Sequence, residues 1–129
     1  IEGKSIAKAH VCGTGGASEA VKYALKKKNI SFDVLSRKDE SYQKIKAHGF
    51  SDNELIINAT PVGMYPKSDD LLDLPYETAN GTNVFIDLIY NPEETMFMRE
   101  AKKHGASVYN GLKMLTLQAE AAWKIWDKR

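Results

Sequence analysis

Three glycines after the first apolar segment have the spacing of an anion-binding turn. The chain runs from an apolar segment, Ile6 to Val11, through Cys-Gly-Thr-Gly-Gly into an amphipathic segment that begins at Ala17. This order predicts a strand, a turn and a helix, whose free N–H groups and dipole favour a phosphate. We expect Gly13 to allow the tight turn, Gly15 to admit a pyrophosphate, and Gly16 to start the helix without crowding the strand. A loop that binds nothing is the alternative, because glycines are common in turns.

The residues after the second predicted strand indicate which dinucleotide such a turn would hold. Ser36, Arg37 and Lys38 follow the strand, and no acid intervenes before Asp39. In dinucleotide folds an acid at this place accepts hydrogen bonds from the adenosine ribose, whereas an arginine accommodates a 2′-phosphate. A guanidinium can hold that phosphate through two parallel hydrogen bonds. The sequence therefore favours NADP over NAD, the alternative being that Arg37 is only a surface charge.

A third group of candidate residues follows the third predicted strand. The segment Asn-Ala-Thr-Pro-Val-Gly-Met at 58–64 comes directly after an apolar Leu-Ile-Ile run. In open α/β sheets, ligands bind at the carboxyl ends of the strands. Thr60 is therefore a candidate for a hydrogen bond to a cofactor, the alternative being an ordinary loop threonine.

Alternating strand and helix patterns must position these residues. They predict an α/β, Rossmann-like fold: a parallel sheet with helices on both faces, in three layers. The predicted strands are 6–11, 31–35, 54–58, 84–90 and 107–109, and the predicted helices before residue 105 are 17–28, 42–48 and one that starts near residue 91. For that last helix we expect Asn91 as N-cap, Pro92 at the first position and Glu94 in a capping box. The polar segment 65–82 is expected to be a long irregular connection.

The final predicted helix, 112–126, carries a polar amide on its apolar side. Gln118 falls between Met114 and Ile125 when the segment is projected at 100° per residue. A buried amide without partners costs about 1–3 kcal/mol. Gln118 is therefore either a satisfied core residue or a residue that faces a cleft holding a polar ligand, and its position alone leaves both open.

Composition limits the classes of function. A chain of 129 residues fits one domain, and its net charge of +1 gives no reason to expect nucleic acid or an acidic membrane as partner. The apolar runs are too short to span a bilayer, and we expect no signal peptide. The single cysteine, Cys12, is expected to be a small buried hydrophobe in a reducing cytoplasm rather than a nucleophile. The three histidines lack metal-ligand spacing, so we assign them no chemistry and predict no metal site. We also assign no catalytic residue in these 129 residues.

Four motifs together resemble shikimate dehydrogenase. They are Gly-Thr-Gly-Gly-Ala at 13–17, Asn-Ala-Thr-Pro-Val-Gly-Met at 58–64, Asp-Leu-Ile-Tyr-Asn-Pro at 87–92, and the segment from Asn-Gly-Leu at 110–112 through Gln-Ala at 118–119. The resemblance covers nearly the whole chain but only the carboxyl-terminal part of the family's enzyme. The family's amino-terminal substrate domain, whose lysine and aspartate act on the substrate's hydroxyl proton, has no counterpart in these residues.

The resemblance implies a role for each matching residue. The pyrophosphate of NADP would contact Gly13, Thr14, Gly15, Gly16 and Ala17. The adenosine ribose phosphate would contact Ser36, Arg37 and Lys38, and Thr60 would lie along the cofactor. Leu88 and Gly111 would contact the nicotinamide end, largely through their backbone. Tyr90 and Gln118 would touch the substrate. For Gln118 the resemblance therefore favours a position facing the cleft over one in the core.

The implied activity is reversible hydride transfer between NADPH and the ring carbonyl of 3-dehydroshikimate, giving shikimate, a step of chorismate and aromatic amino-acid biosynthesis. The chain then comprises an NADP-binding domain, 1–110, and a carboxyl-terminal helix, 111–129, that in the family packs toward the substrate domain. We expect the chain to be inactive alone, and the exposed apolar side of that helix to favour a homodimer. The alternatives are a stand-alone nucleotide-binding or regulatory module, and a quinate/shikimate or NAD-preferring variant.

The loop after the second strand departs from the family's pattern. Many members follow the arginine with a threonine and place a second basic residue four positions after that arginine. Here Lys38 takes the threonine's place and Ser41 takes the later one. The ribose-phosphate clamp is therefore weaker by sequence unless Lys38 or Lys44 compensates, although NADP preference is still expected.

Overall fold

A five-stranded parallel sheet forms the centre of this computed structural model, which describes residues 6–89 and 92–110. Its strands are β1 (Lys8–Cys12), β2 (Phe32–Leu35), β3 (Glu54–Asn58), β4 (Val84–Asp87) and β5 (Ser107–Asn110). The spatial order is β2-β1-β3-β4-β5, and each neighbouring pair is parallel. Because β4 ends at Asp87, residues 88–89, predicted as strand, lie in the loop that follows.

Helices cover both faces of the sheet. They are α1 (Gly16–Lys27), α2 (Ser41–His48) and α3 (Met96–Lys103). Val21 and Leu25 of α1 pack on one face, whereas Ile45 of α2 and Phe97 of α3 pack on the other. The predicted three-layer, Rossmann-like α/β fold is confirmed. No helix in the described part of the chain is long and apolar enough to cross a membrane.

Side chains of the strands alternate between two core clusters. From β1, Val11 packs with Leu25 on the α1 face, whereas Cys12 packs with Phe85 on the opposite face. All five residues of β3 are buried, as expected for a central strand of a parallel sheet. Full burial of a Leu, Ile or Phe side chain stabilises a fold by about 1.5–3 kcal/mol. This two-sided core fixes the strands whose carboxyl ends carry the candidate site.

The start of α3 differs from the prediction. The helix begins at Met96, and its N-cap is Thr95, whose hydroxyl accepts a hydrogen bond from the Met98 N–H at 3.3 Å. The predicted capping box is therefore wrong, and Pro92 lies before the helix rather than at its first position. Glu94 instead forms an exposed ion pair with Lys102, 2.6 Å between Oε2 and Nζ. The capping residue is Thr95 and not Asn91 because the buried Thr95 hydroxyl also donates a hydrogen bond to Asp87 of β4.

The connection between β3 and β4 contributes to the core. It is largely irregular, as predicted, but a short 3-10 helix at Tyr76–Thr78 interrupts it. Its buried residues pack against the same face as α2 and α3, and they are Leu72, Leu74, Tyr76 and Ala79. The Tyr76 hydroxyl donates to the Leu72 carbonyl at 3.0 Å. The segment therefore covers the sheet where a helix would usually lie.

Candidate functional site

The glycine turn lies where the strand order of the sheet reverses. β1 and β3 are neighbours, and the chain continues from them toward opposite edges of the sheet, which is the position at which doubly wound folds bind ligands. The Ala59 N–H donates to the Cys12 carbonyl at 2.9 Å and joins the loops after the two strands. Gly13 has a φ of +114°, and a Cβ there would lie 3.0 Å from the Ala59 carbonyl oxygen. The predicted need for glycine in this tight turn is confirmed.

The first turn of α1 has no side-chain cap. Gly15 is the N-cap residue and offers no side-chain acceptor, and the nearby Ser18 hydroxyl donates to the Gly15 carbonyl at 2.7 Å. The N–H groups of Gly15, Gly16 and Ala17 have no partner in the described part of the chain. Such N–H groups, at the positive end of a helix dipole, suit an anionic group.

The reason predicted for Gly16 is wrong. α1 does begin at this residue, but a Cβ added to it would meet no atom within 4 Å. Crowding against β1 therefore does not require a glycine here. A Cβ at Gly15 would also meet nothing, so both glycines leave open space in front of the helix.

A cleft of about 690 Å³ extends from this turn along the carboxyl edge of the sheet. Its volume lies in the range of small-molecule sites, about 300–1,000 Å³. Seven of the predicted cofactor contacts line it together, and they are Gly13, Thr14, Gly15, Ser36, Arg37, Lys38 and Thr60. Gly16 and Ala17 lie beside the cleft, exposed in the first turn of α1. The structure thus brings the glycine turn and the basic loop to one cavity.

The basic loop is held by its own serines. The Ser41 hydroxyl accepts from the Ser36 N–H at 2.8 Å, and the Ser36 hydroxyl accepts from the Lys38 N–H at 3.1 Å. Asp39 also belongs to this loop, and its carboxylate accepts from the Ser41 N–H at 2.8 Å. These bonds fix the backbone from which Arg37 projects, and in the described part of the chain Arg37 has no ion-pair partner.

Thr60 is tied to its own loop. Its hydroxyl donates to the Asn58 Oδ1 at 2.6 Å and accepts from the Val62 N–H at 3.1 Å. The Thr60 N–H also donates to the Asn58 Oδ1, at 2.9 Å. The hydroxyl hydrogen already forms a hydrogen bond to Asn58 and is not available to a ligand. Thr60 therefore lines the cleft mainly through its methyl group, beside Gly13.

A buried polar network links this loop to the loop after β4. The Asp87 carboxylate accepts from the Thr95 hydroxyl at 2.5 Å, from the Ile89 N–H at 2.9 Å and from the Asn58 amide at 3.3 Å. Burial nevertheless raises the pKa of Asp87, since its desolvation outweighs the bonds to Thr95, Ile89 and Asn58. Neighbouring strand ends are thereby connected by Asn58 and Asp87, the first residues of two of the quoted motifs, to which the sequence analysis assigned no role.

Of the remaining predicted site residues, the structure describes Leu88, which does not line this cleft. The Leu88 N–H donates to the Asn58 carbonyl at 3.1 Å, so only its carbonyl is available to a ligand, and its half-buried side chain packs on the α1 face. Tyr90, Gly111 and Gln118 lie outside the described residues, as does the predicted final helix.

Cys12 lies beneath the cleft as a buried thiol. Desolvation raises its pKa to about 12, although the nearby Tyr42 hydroxyl lowers it in part. Since the thiolate is the reactive form of cysteine, this thiol is not a nucleophile at neutral pH. The prediction of a small buried hydrophobe is confirmed.

The cleft also contains residues that the sequence did not single out. They include Tyr42, Tyr65 and Lys67, of which the last two belong to the irregular connection. Lys44 lies elsewhere: it lines a separate hollow of about 480 Å³ on the other side of α2, together with His10 and Glu54. No local pattern pointed to Lys67, because only the folded chain brings it to the cleft that Arg37 lines.

The chain is similar in sequence to known proteins. No protein-family model matches the chain. The shikimate dehydrogenase (NADP(+)) of Methanococcus maripaludis is 37% identical in the matched region, which covers 90% of this chain and 48% of the relative. That of Pelagibacter ubique is 36% identical and covers 94% of this chain and 49% of the relative. The chain is homologous to shikimate dehydrogenases. It spans about half the length of these curated relatives and matches their carboxyl-terminal half.

Solved structures agree with this homology. The chorismate mutase/shikimate 5-dehydrogenase fusion protein of Clostridium acetobutylicum matches 96% of the chain with a TM-score of 0.71 and 34% identity. A shikimate dehydrogenase in complex with NADP+ matches 98% with a TM-score of 0.69 and 35% identity. The Thermus thermophilus enzyme, solved with NADP(H) and shikimate, matches 96% with a TM-score of 0.68 and 30% identity. The chain covers 48%, 51% and 50% of these structures, respectively.

Proposed function

We propose that this shikimate dehydrogenase homologue is an NADP-binding domain that holds the cofactor for reversible reduction of 3-dehydroshikimate to shikimate. The observation that carries the proposal is one cleft at the β1/β3 switch point that contains both the uncapped start of α1 and the basic loop at Arg37. The curated relatives are NADP(+) enzymes, and a similar solved structure holds NADP(H) with shikimate. Both support the same cofactor here.

The residues of the cleft fit NADP in charge and in shape. The N–H groups of Gly15, Gly16 and Ala17, which have no partner among the described residues, and the dipole of α1 face the place where a pyrophosphate would lie, beside two glycines that leave open space. Arg37 and Lys38 lie at the end of the cleft next to β2, where the fold presents the adenosine ribose. No carboxylate separates them from β2, so a 2′-phosphate at the end of this strand would lie beside two cations.

The chemistry of the proposed reaction is divided between the cofactor and the chain. NADPH supplies the hydride when it is bound. The residues of this chain bind and orient it: the turn at Gly13 holds the pyrophosphate, and Ser36 and Arg37 hold the ribose phosphate. Asp87 and Asn58 fix the loops that border the nicotinamide end. Leu88, Tyr90, Gly111 and Gln118 keep the roles that the resemblance implies.

We further propose that the 129 residues do not catalyse turnover by themselves. They span about half of the relatives' length, and the resemblance implies that the family's lysine and aspartate, which act on the substrate proton, belong to the other half. General acid–base help is worth about 10²–10⁴-fold, and loss of substrate positioning costs more. Binding and catalysis should therefore separate in this chain.

Calorimetry and an absorbance assay test both parts. Titration of the chain with NADPH should show saturable binding, while NADP+ with shikimate should give no increase in the nicotinamide absorbance. Absence of NADPH binding would contradict the proposed function, and normal turnover would contradict the proposed inactivity. A stand-alone regulatory module would bind the nucleotide but fail to support turnover when the substrate-binding half of a relative is added.

The homodimer and the cytoplasmic location stay predictions. The dimer was expected through the last helix, which lies outside the described residues. Analytical ultracentrifugation over a wide concentration range would check it, and a monomer at the highest concentration would count against it.

A further inference from the structure

We infer that Lys67, from the connection after β3, completes the 2′-phosphate site in the cleft that Arg37 and Lys38 also line; the inference rests on the proposed NADP function. Lys67 belongs to the connection after β3 and lines the same cavity as the two cations of the β2–α2 loop. The sequence places it 29 residues after Lys38, and no motif links them. The fold alone makes these three cations neighbours of one cleft.

The backbone at Lys67 is held in place by successive turns. The Met64 N–H donates to the Pro61 carbonyl at 3.1 Å, the Lys67 N–H to the Met64 carbonyl at 2.9 Å, and the Asp70 N–H to the Lys67 carbonyl at 3.1 Å. The Asn58 amide anchors the start of this loop through the Val62 carbonyl, at 3.2 Å. The lysine therefore projects from a defined position and not from a free loop.

The charge of Lys67 is available to a ligand. Its side chain is exposed, and in the described part of the chain it forms no ion pair. Asp70 also lines the cleft, but its carboxylate is not paired with Lys67. A phosphate carries a charge of about −2 at neutral pH, so each additional cation within reach strengthens its binding.

Two other positions, 41 and 44, do not supply a third cation to the 2′-phosphate site. Ser41, at the place where many family members carry a basic residue, is uncharged and holds the Ser36 N–H. Lys44 lines the hollow on the other side of α2 and not the cofactor cleft. Lys67 thereby supplies from the β3 side the cation that the β2–α2 loop lacks.

The test uses adenosine 2′,5′-bisphosphate and 5′-AMP as probes, because they differ only in the 2′-phosphate. Calorimetric titration of the 129-residue chain should show that Lys67→Gln weakens binding of the bisphosphate about five- to tenfold, as expected for one charge-assisted contact. Binding of 5′-AMP should change less than about twofold, because the lost cation faces the 2′-phosphate. Lys67→Arg should retain the bisphosphate affinity, and the control Lys44→Gln should leave both affinities near those of the unmodified chain.

Two other results would contradict the assignment of Lys67, and a third would contradict the proposed function. An unchanged bisphosphate affinity in Lys67→Gln, with NADPH still bound by the unmodified chain, overturns the assignment of Lys67 alone. An equal loss for 5′-AMP also overturns it, because it places Lys67 at the 5′-phosphate. Failure of the unmodified chain to bind NADPH overturns the proposed function itself. Thermal unfolding of each variant verifies that the exposed substitution leaves the fold intact.

Discussion

The Thr95 hydroxyl donates a hydrogen bond of 2.5 Å to the buried Asp87 carboxylate, and the same hydroxyl oxygen accepts from the Met98 N–H at 3.3 Å. One side chain therefore caps α3 and satisfies the carboxylate at the end of β4. Because Asp87 also accepts from the Asn58 amide, the start of a helix and two strand ends are coupled through one buried group.

Removing this hydroxyl should destabilise the chain. Thr95→Val keeps the shape but leaves the Asp87 carboxylate short of a donor and α3 without its cap, so we expect the free energy of unfolding to fall by about 2–4 kcal/mol. Urea denaturation followed by circular dichroism measures the change. Thr95→Ser keeps the hydroxyl and is the matched control. A loss as large in Thr95→Ser as in Thr95→Val would mean that packing, not the hydrogen bonds, matters.

Asp87 should also give the stability a distinct pH dependence. Its pKa is raised above the ordinary value of an aspartate in the folded chain because burial disfavours the charged form. The folded state therefore binds the proton more tightly than the unfolded state, and this carboxyl's contribution to stability is lost as pH rises through the folded pKa. Compared with Asp87→Asn, the unmodified chain should lose unfolding free energy as the pH increases from about 4 toward neutrality. Denaturation across this range tests the sign, and a relative gain would contradict it.

Substitution by alanine should affect stability differently at two glycines of the turn. Gly13→Ala places a methyl group 3.0 Å from the Ala59 carbonyl oxygen at a φ of +114°, so we expect a loss of about 1–3 kcal/mol in unfolding free energy and weaker NADPH binding. Gly16→Ala meets no atom within 4 Å and begins a helix, so stability should stay equal or rise by up to about 1 kcal/mol. Equal destabilisation by both substitutions, measured by thermal unfolding, would contradict the geometry of the turn.

Cys12 should be inert in the folded chain. With the pKa of its thiol raised to about 12, only a very small fraction is thiolate at pH 8. Labelling by Ellman's reagent should therefore be at least about a hundredfold slower than in the urea-unfolded chain, whose thiol has an ordinary pKa near 8.5. Rapid labelling of the native chain would show that this thiol is accessible and ionised.

The sequence predicted the features that depend on local pattern. The bounds of β3 were right because an uninterrupted apolar run specifies a buried central strand, and the conformation of Gly13 was right because the turn admits little else. The start of α3 was wrong because the cap signal at Asn91 to Glu94 is local, whereas the true cap, Thr95, is selected by a carboxylate on another element. A contact between residues of different elements leaves no pattern in the sequence around the helix start.

The same limit applies to the site. The sequence identified the turn and the basic loop, which lie at the ends of recognisable strands. It did not identify Lys67 or the buried Tyr76, because the irregular segment that carries them has no periodicity. It also assigned no chemistry to His10, which the structure pairs with Glu54 at 2.9 Å between Nε2 and Oε1. That pair belongs to the hollow beside α2 and not to the cofactor cleft.

The most direct test of the account is the ratio of NADPH to NADH affinity in the unmodified chain and in Arg37→Ala, measured by calorimetric titration. Arg37 is proposed to contact only the 2′-phosphate, which NADH lacks, so the substitution should weaken NADPH about ten- to hundredfold and NADH less than about twofold. Lys26→Ala, an exposed lysine on α1 away from the cleft, is the matched control and should change neither. A preference for NADPH that falls about tenfold or more in Arg37→Ala is the predicted result, because Lys38 and Lys67 still face the 2′-phosphate. Equal affinities for the two nucleotides in the unmodified chain, or an unchanged ratio in the variant, would contradict it.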